Sequence, residues 1–279
     1  MHTHRGWIAL DLDGTITDAS HHAPREVIDY LHSLQQMGWQ IVFITGRTFA
    51  FSYRIIKEFD FPFYLAVQNG ADILFMPDKR LVARHYLDAR IIPVLEELYA
   101  GNKRDFLLYS GYETGDFCFY CPTKISDSLR PHLEMMQTLS LEPWKAMEEF
   151  TFPLHQQFPL AKCLGSEHAM EVINAKLKTV PFVSATKIKD PLAEGIYLNL
   201  VTSSHATKGR ALRAIEKIVG KSGRIIVAGD DLNDISMLDE ADIKIVMSTA
   251  PTSMHPMADI LAKPGTEMGI IDALKDATR

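Results

Sequence analysis

No stretch of this 279-residue chain approaches the ~18 consecutive apolar residues that a membrane-spanning helix needs. Cysteine is scarce. There are three, too few and too odd a number for a disulfide framework, which suits a reducing compartment. A basic excess is also missing: 29 Lys and Arg face 35 Asp and Glu, a net charge of −6 that argues against a dedicated nucleic-acid binder. There is no low-complexity segment and no internal repeat. The start, Met1-His2-Thr3-His4-Arg5-Gly6, lacks the apolar segment and small-residue cleavage site of a signal peptide, and His2 and His4 read as a solvated terminus. These absences leave a soluble, cytoplasmic protein with no membrane and no nucleic-acid partner as the expectation. What is present is ordinary globular material. The hydrophobic share is 47% and the charged share 23%, enough to bury a core and too apolar for a disordered chain. The length fits one large domain or two modest ones.

The first part of the chain alternates short apolar runs with helical patterns. Trp7-Ile8-Ala9-Leu10 is such a run. Pro24 then opens a segment with Val27, Ile28, Leu31, Leu34 and Met37 in helical register, stopped by Gly38. Ile41-Val42-Phe43-Ile44 is a second run, residues 47–58 read as a helix, and Tyr64-Leu65-Ala66-Val67 is a third run. The rhythm returns late, with a strand at Ile196–Val201, a helix from Thr207 to Val219, a strand at Ile225–Ala228 and a short helix from Asn233 to Glu240. A strand at Ile243–Val246, one near Ile260 and a helix from about Met268 follow. Continuous apolar runs between helices imply parallel strands buried on both faces.

Residues 84–190 differ. They mix aromatic-rich strands, Phe106-Leu107-Leu108-Tyr109 and Phe117-Cys118-Phe119-Tyr120, with helices near 90–100, 126–139 and 167–178. Pro122, Pro143, Pro153, Pro159, Pro181 and Pro191 punctuate this stretch. The expected architecture is a doubly wound, parallel, Rossmann-like α/β core over 1–83 and 191–279, with an inserted α+β domain over 84–190.

The residues that follow the expected core strands carry the chemistry. The first strand ends in Asp11-Leu12-Asp13-Gly14-Thr15 and the second in Thr45-Gly46-Arg47. The strand at 225–228 ends in Gly229-Asp230-Asp231-Leu232-Asn233-Asp234, and Lys208 opens the helix after the 196–201 strand. Ligands of open parallel sheets sit at the carboxyl ends of strands. Distant segments therefore bring two carboxylate clusters, a hydroxyl and an ammonium to one edge. Two unit charges 4 Å apart repel by about 4 kcal/mol at an effective dielectric of 20, and one lysine offsets only part of that. A divalent cation offsets more, and hard oxygen ligands suit Mg²⁺, whose shell is commonly completed by water and substrate phosphate. One aspartate can attack phosphorus, and a second two residues along can move the protons. Lys208, Thr45 and backbone N–H groups suit the phosphoryl oxygens. Asp234 suits orienting Lys208, and Asn233 suits donating to the phosphate.

At these residues the chain resembles the haloacid dehalogenase-like phosphatases, whose four motifs look like Asp11-Leu12-Asp13-Gly14-Thr15, Thr45-Gly46-Arg47, Lys208 and Gly229–Leu238. Asn69-Gly70-Ala71 is similar to the Cof-type branch, which carries a large α/β cap where this chain has 84–190. The resemblance implies Asp11 as nucleophile and Mg²⁺ ligand, and Asp13 as general acid/base that binds Mg²⁺ through its backbone carbonyl. It implies Thr45, Gly46 and Lys208 around the phosphoryl group, Asp230 as the remaining Mg²⁺ ligand, and a cap that selects the substrate. The substrate class it implies is a small phosphorylated metabolite, such as a sugar phosphate. Transfer of the phosphoryl group to a sugar hydroxyl, as in a mutase, and non-catalytic sensing of a phosphate ligand are the competing readings of the same residues. The sequence names no oligomeric partner, and Ser203-Ser204-His205 stands just before Lys208 as a stretch not diagnostic of the family.

Several of these and neighbouring residues also carry blander explanations. Asp11–Ile16 resembles part of a calcium loop, but positions 1 and 12 would be Ala9 and Ser20, where acids belong. Gly220-Lys221-Ser222 lacks the first glycine of a phosphate loop, since Ile215 stands there. Asp230, Asp231 and Asp234 also suit the solvated opening of a helix. Cys118 and Cys121 have metal-ligand spacing but no second pair, and read as strand residues. Tyr109, Tyr112, Phe117 and Tyr120 read as core aromatics.

Overall fold

The structure, a computed structural model, describes residues 4–190, 192–220 and 223–279. The readings made for His2, Pro191 and Lys221-Ser222 lie outside the described residues. The chain begins β1 Gly6–Leu10, α1 Arg25–Gln36, β2 Trp39–Ile44, α2 Phe49–Ile56, β3 Phe63–Val67, β4 Asp72–Met76 and β5 Arg80–Arg84. It continues β6 Leu87–Asp88, α3 Ile91–Leu98, β7 Phe106–Tyr109, β8 Cys118–Tyr120, α4 Arg130–Leu139, β9 Trp144–Ala146, β10 Gln157–Phe158, β11 Leu160–Gly165, α5 Glu167–Leu177, β12 Val183–Lys189 and β13 Tyr197–Ser203. It ends α6 Lys208–Val219, β14 Arg224–Gly229, α7 Ile235–Leu238, β15 Ile243–Met247, β16 Ile260–Ala262 and α8 Gly269–Ala277. No helix among the described residues is long and apolar enough to cross a membrane.

The chain divides into two compact units. One comprises Met1–Arg47, Ser52–Arg84 and Thr207–Arg279, the other Thr48–Phe51 and His85–Ala206. The first is built on an eight-stranded sheet in the order β16-β15-β14-β1-β2-β3-β4-β5. The strands from β16 to β3 run parallel, and β4 and β5 close the edge as antiparallel neighbours. Successive side chains of a strand point to opposite faces. Trp7 and Ala9 of β1, with Val42 and Ile44 of β2, therefore share one face with Ala211, Leu212 and Ile215 of α6 and Met237 and Leu238 of α7. On the other face, Phe43 meets Phe59 and Phe63 edge to face, and α1 packs on β2. Both faces are covered, which is why the central strands read as unbroken apolar runs. α1 begins without a side-chain cap: Pro24 precedes it with the fixed φ of a pyrrolidine ring, and Val27, Ile28, Leu31 and Leu34 form its buried stripe.

The second unit is a six-stranded sheet in the order β12-β13-β11-β7-β8-β9, with a separate two-stranded ladder of β10 and β6. All pairs of the larger sheet are antiparallel except β8 with β9. Ile91 and Leu95 of α3, with Met170, Ile173 and Leu177 of α5, cover Phe106, Leu108, Ala161, Cys163 and Val201. Leu129, Leu133 and Met136 lie against the opposite set, Leu107, Tyr109, Leu160, Leu164, Leu198 and Leu200.

Two sequence expectations need correction. The 196–201 run is not a strand of the parallel core. It is β13, paired antiparallel with β11 and β12 inside the second unit, so the later boundary falls at Ala206/Thr207 and not at 190/191. Its pattern misled because Leu198 and Leu200 face one cluster and Val201 the other, so this antiparallel strand is buried on both sides like a parallel one. The core sheet is also not wholly parallel, since the hairpin of β4 and β5 closes its edge antiparallel. The second strand of that hairpin is only half-buried and begins and ends in arginine, which weakens the apolar signal.

Candidate active site

The sheet order places the site. From β1 the chain moves through β2 and β3 on one side and later fills β14, β15 and β16 on the other. The carboxyl ends of β1 and β14 therefore form the point where strand order reverses, the usual ligand crevice of such sheets. Asp11 extends the ladder one step beyond β1, its N–H donating to the Ala228 carbonyl at 3.0 Å. Thr45 does the same after β2, donating to Ala66 at 2.9 Å. The loop after Asp13 turns at Gly14, whose φ of +67° favours glycine, and a Cβ there would stand 2.0 Å from Oδ2 of Asp230. The first loop is thereby pressed against the second acidic cluster.

Lys208 is the hub. It is 1% exposed, and its Nζ donates to Oδ1 of Asp11 at 2.5 Å and to Oδ1 of Asp234 at 2.6 Å. Thr207 positions it by capping α6, its hydroxyl accepting from the Arg210 N–H. The preceding Ser203-Ser204-His205 segment forms a tight turn, with the Ala206 N–H on the Ser203 carbonyl and the Thr202 hydroxyl on the Ala206 carbonyl. Asp234 is fully buried and fully engaged. Beyond Lys208, its Oδ2 accepts from the backbone N–H groups of Asp230 at 2.8 Å and Asp231 at 3.0 Å.

The three acids of this segment thus divide. Asp231 is a helix cap in a reciprocal box with Asp234, so the bland reading holds for that residue. Asp234 orients Lys208 and the loop. Asp230 stands apart from both tasks and joins Asp11 and Asp234, with one carboxylate oxygen of each within 4.8 Å of the others. Burial pushes the Asp11 carboxyl up to about 7, with Asp234 and Asp13 adding to the rise and Lys208 opposing it. Burial and then the charges of Asp11 and Asp234 push Asp230 up to about 9. Burial alone would make Lys208 easier to deprotonate, but the two carboxylates outweigh it and hold the ammonium above its usual range. One cation among three acids leaves the cluster short of positive charge. Hard carboxylate oxygens in that condition fit a divalent cation such as Mg²⁺.

Asp13 points to a different partner. The Arg47 guanidinium grips it in a fork, Nε to Oδ2 at 2.6 Å and Nη2 to Oδ1, with His21 Nδ1 3.5 Å away. Thr45 is buried, and its hydroxyl accepts from the Arg47 N–H at 3.1 Å across the Gly46 bend. Asn233 donates through Nδ2 to Oδ1 of Asn69 at 3.3 Å. The structure thus brings Asp11, Asp230, Asp234 and Lys208 together. Asp13, Thr45 and Gly46 lie in the adjoining loops after β1 and β2, and Asn233 beside Asn69. Sequence reasoning did not single out Arg47 and Asn69 as site residues. Each lies inside a motif already quoted, and only the fold shows what they touch.

The remaining readings resolve simply. Cys118, Cys121 and Cys163 are free and buried, and burial raises the thiol of each. Tyr109 is core, and Tyr120 packs edge-on against Trp144.

Comparison with known proteins agrees with this fold. The family description of haloacid dehalogenase-like hydrolases matches residues 8–274. The phosphatase YwpJ of Bacillus subtilis strain 168 is 24% identical over 286 aligned positions, covering 96% of this chain and 98% of that protein. A haloacid dehalogenase-like hydrolase from B. subtilis superposes with a TM-score of 0.76 at 21% identity, covering 96% and 98% of the two chains. The subclass IIB sugar phosphatase BT4131 superposes with a TM-score of 0.75 at 19% identity, covering 98% and 99%.

Proposed function

The chain belongs to the haloacid dehalogenase-like hydrolases of the Cof type, and from that premise we propose that it is a Mg²⁺-dependent phosphomonoester hydrolase acting on a small phosphorylated metabolite. The observation that carries this reading is the Lys208 hub. A buried ammonium bonded to Asp11 and Asp234, with Asp230 in reach of both, is an arrangement for anionic oxygen and not for packing.

Asp11 and Asp230 would hold the dication, with the Asp13 backbone carbonyl as a further oxygen, since both oxygens of Asp234 are already committed. When bound, the ion supplies charge neutralisation for the carboxylates and the phosphoryl oxygens. The chain's own residues do the rest. An oxygen of Asp11 attacks phosphorus, and the bond from phosphorus to the ester oxygen breaks. The Asp13 carboxyl gives its proton to the departing oxygen. In the second half, Asp13 takes a proton from water, the water oxygen bonds to phosphorus, and the Asp11–phosphorus bond breaks to free phosphate. Lys208, the Thr45 hydroxyl, the Gly46 backbone and the Asn233 amide stabilise the phosphoryl oxygens. The Arg47 fork holds the Asp13 carboxylate in the loop after β1.

The sugar phosphatase among the structural neighbours supports a sugar phosphate as the substrate class, and the second unit is the part that would select it. The three buried free thiols suit a reducing compartment such as the cytoplasm. The test is a panel of phosphomonoesters with Mg²⁺, with and without chelator. Mg²⁺-dependent phosphate release is expected. Activity unaffected by thorough chelation, or sugar-phosphate isomerisation with no phosphate release, would overturn the proposal.

A further inference from the structure

The turn after β3 is an expensive piece of backbone. Gln68 and Asn69 are consecutive residues with φ of +51° and +57°, a left-handed conformation that non-glycine side chains avoid. Gln68 is also fully buried, with neither its Nε2 nor its Oε1 hydrogen-bonded. Strained and unsatisfied groups persist where the surroundings over-determine them, and such places cluster at functional sites.

The surroundings of this turn are the segments that carry the site. The Gln68 N–H donates to the Arg47 carbonyl at 2.8 Å, and the Asn69 N–H donates to the Thr45 carbonyl at 2.8 Å. Gly70 lies against the start of α6, so close that a Cβ would come within 2.5 Å of the Ala211 Cβ and 3.3 Å of the Thr207 carbonyl. The Asn69 side chain takes the Nδ2 group of Asn233, 164 residues away, at 3.3 Å. One three-residue turn therefore touches the loop of Thr45, the turn that launches Lys208, and Asn233 beside Asp234.

We propose that Asn69 is a positioning residue of this site, whose side-chain carbonyl fixes the Asn233 amide so that the second N–H of that amide is aimed at a phosphoryl oxygen. The proposal rests on the phosphatase reading given above. A primary amide left to rotate divides its donors among many directions. With one N–H anchored on Asn69, the plane of the Asn233 amide is set before the ligand arrives. The left-handed conformation fits this task. Asparagine tolerates it better than most residues, and it sets the side chain of Asn69 against Asn233 directly after the strand next to β2.

The test is a double-mutant cycle read in two ways: calorimetric binding of inorganic phosphate in the presence of Mg²⁺, and turnover of whichever monoester the panel selects. Asn69→Gly is the informative variant, because glycine relieves the left-handed backbone while removing the side chain. Phosphate binding and kcat/KM should each fall by about tenfold while the melting temperature holds or rises, a pattern that a purely structural role does not produce. Asn233→Ala should give a similar loss. The double variant should be no worse than Asn233→Ala alone. In an Asn69→Asp background, which keeps the acceptor oxygen, Asn233→Ala should still lose affinity.

Wild-type phosphate affinity in Asn69→Gly, or single losses that multiply in the double variant, would overturn the positioning role and leave the phosphatase reading intact. Phosphate binding with the expected cycle, but no turnover of any monoester, would overturn the phosphatase reading and leave the Asn69–Asn233 coupling standing. Wild-type protein that binds no phosphate would overturn both.

Discussion

Lys208 and Asp234 form an ion pair with Nζ 2.6 Å from Oδ1, and their side chains are 1% and 0% exposed. The same ammonium reaches Asp11, which lies 197 residues earlier in the chain. One buried cation therefore holds the ends of β1 and β14 and the start of α6 in a single arrangement. Breaking a buried pair from one side strands the partner charge, typically at 3–5 kcal/mol. Lys208→Met should accordingly lower unfolding stability by about 3 kcal/mol at neutral pH, measured by urea titration, and abolish activity. The stability loss should shrink as pH falls below about 7, where the Asp11 carboxyl, raised by burial and no longer opposed by Lys208, takes up a proton.

Asp11 and Asp230 give the metal-free protein a defined pH response. Their carboxyls are raised to about 7 and about 9, so between the ordinary value of 3.8 and those values the folded chain binds more protons than the unfolded one. Stability from these groups then falls as pH rises through that window. Asp230→Asn removes one contribution. In the presence of chelator it should raise the melting temperature more at pH 8.5 than at pH 5, as calorimetry can follow. An equal gain at both values would remove Asp230 as the cause. Because a cation requires the ionised carboxylates, stabilisation by added Mg²⁺ should show the complementary trend and grow with pH.

Gly209 follows Lys208 and meets α7 at close quarters. A Cβ at this position would stand 1.9 Å from the Ser236 carbonyl oxygen, which is backbone and has no rotamer to give. Gly209→Ala should therefore push α6 away from α7 and cost about 1–3 kcal/mol. Since Lys208 is the adjoining residue, kcat should drop with stability. Unchanged unfolding by urea would show that the two helices slide apart freely.

Asn199 makes the second unit testable by itself. It is fully buried in β13, accepts from Asn174 Nδ2 at 2.8 Å and donates to the Met170 carbonyl at 2.8 Å. Asn199→Ala would leave both partners in a dry core, with an expected loss of about 2 kcal/mol. Asn199→Asp keeps the acceptor and loses the donor, and should be at least as damaging at neutral pH because it also buries a charge. Thermal unfolding of both variants checks this ordering.

Much of the fold is legible in the sequence where burial is two-sided. Trp7–Leu10, Ile41–Ile44 and Tyr64–Val67 announce parallel strands because helices cover both faces and leave no polar alternation. The same rule misassigned β13, since an antiparallel strand between two packed layers obeys it equally. Its central Asn199 was the available signal, a polar residue that an unbroken hydrophobic strand has no reason to carry.

The sequence by itself determined the chemical inventory of the site. Aspartates two residues apart after the first strand, a hydroxyl after the second, a lysine at a helix start and an acidic loop near the end all stand in plain view. Tertiary structure alone decided how those groups divide the work. Asp231 caps a helix, Asp234 spends both oxygens on Lys208 and the backbone, Asp13 is held by Arg47, and Asn69 reaches Asn233. The reason is geometric. Residue type and spacing specify what a side chain can donate or accept, whereas its partner depends on which strand ends become neighbours, and that order is set by the packing of the whole sheet.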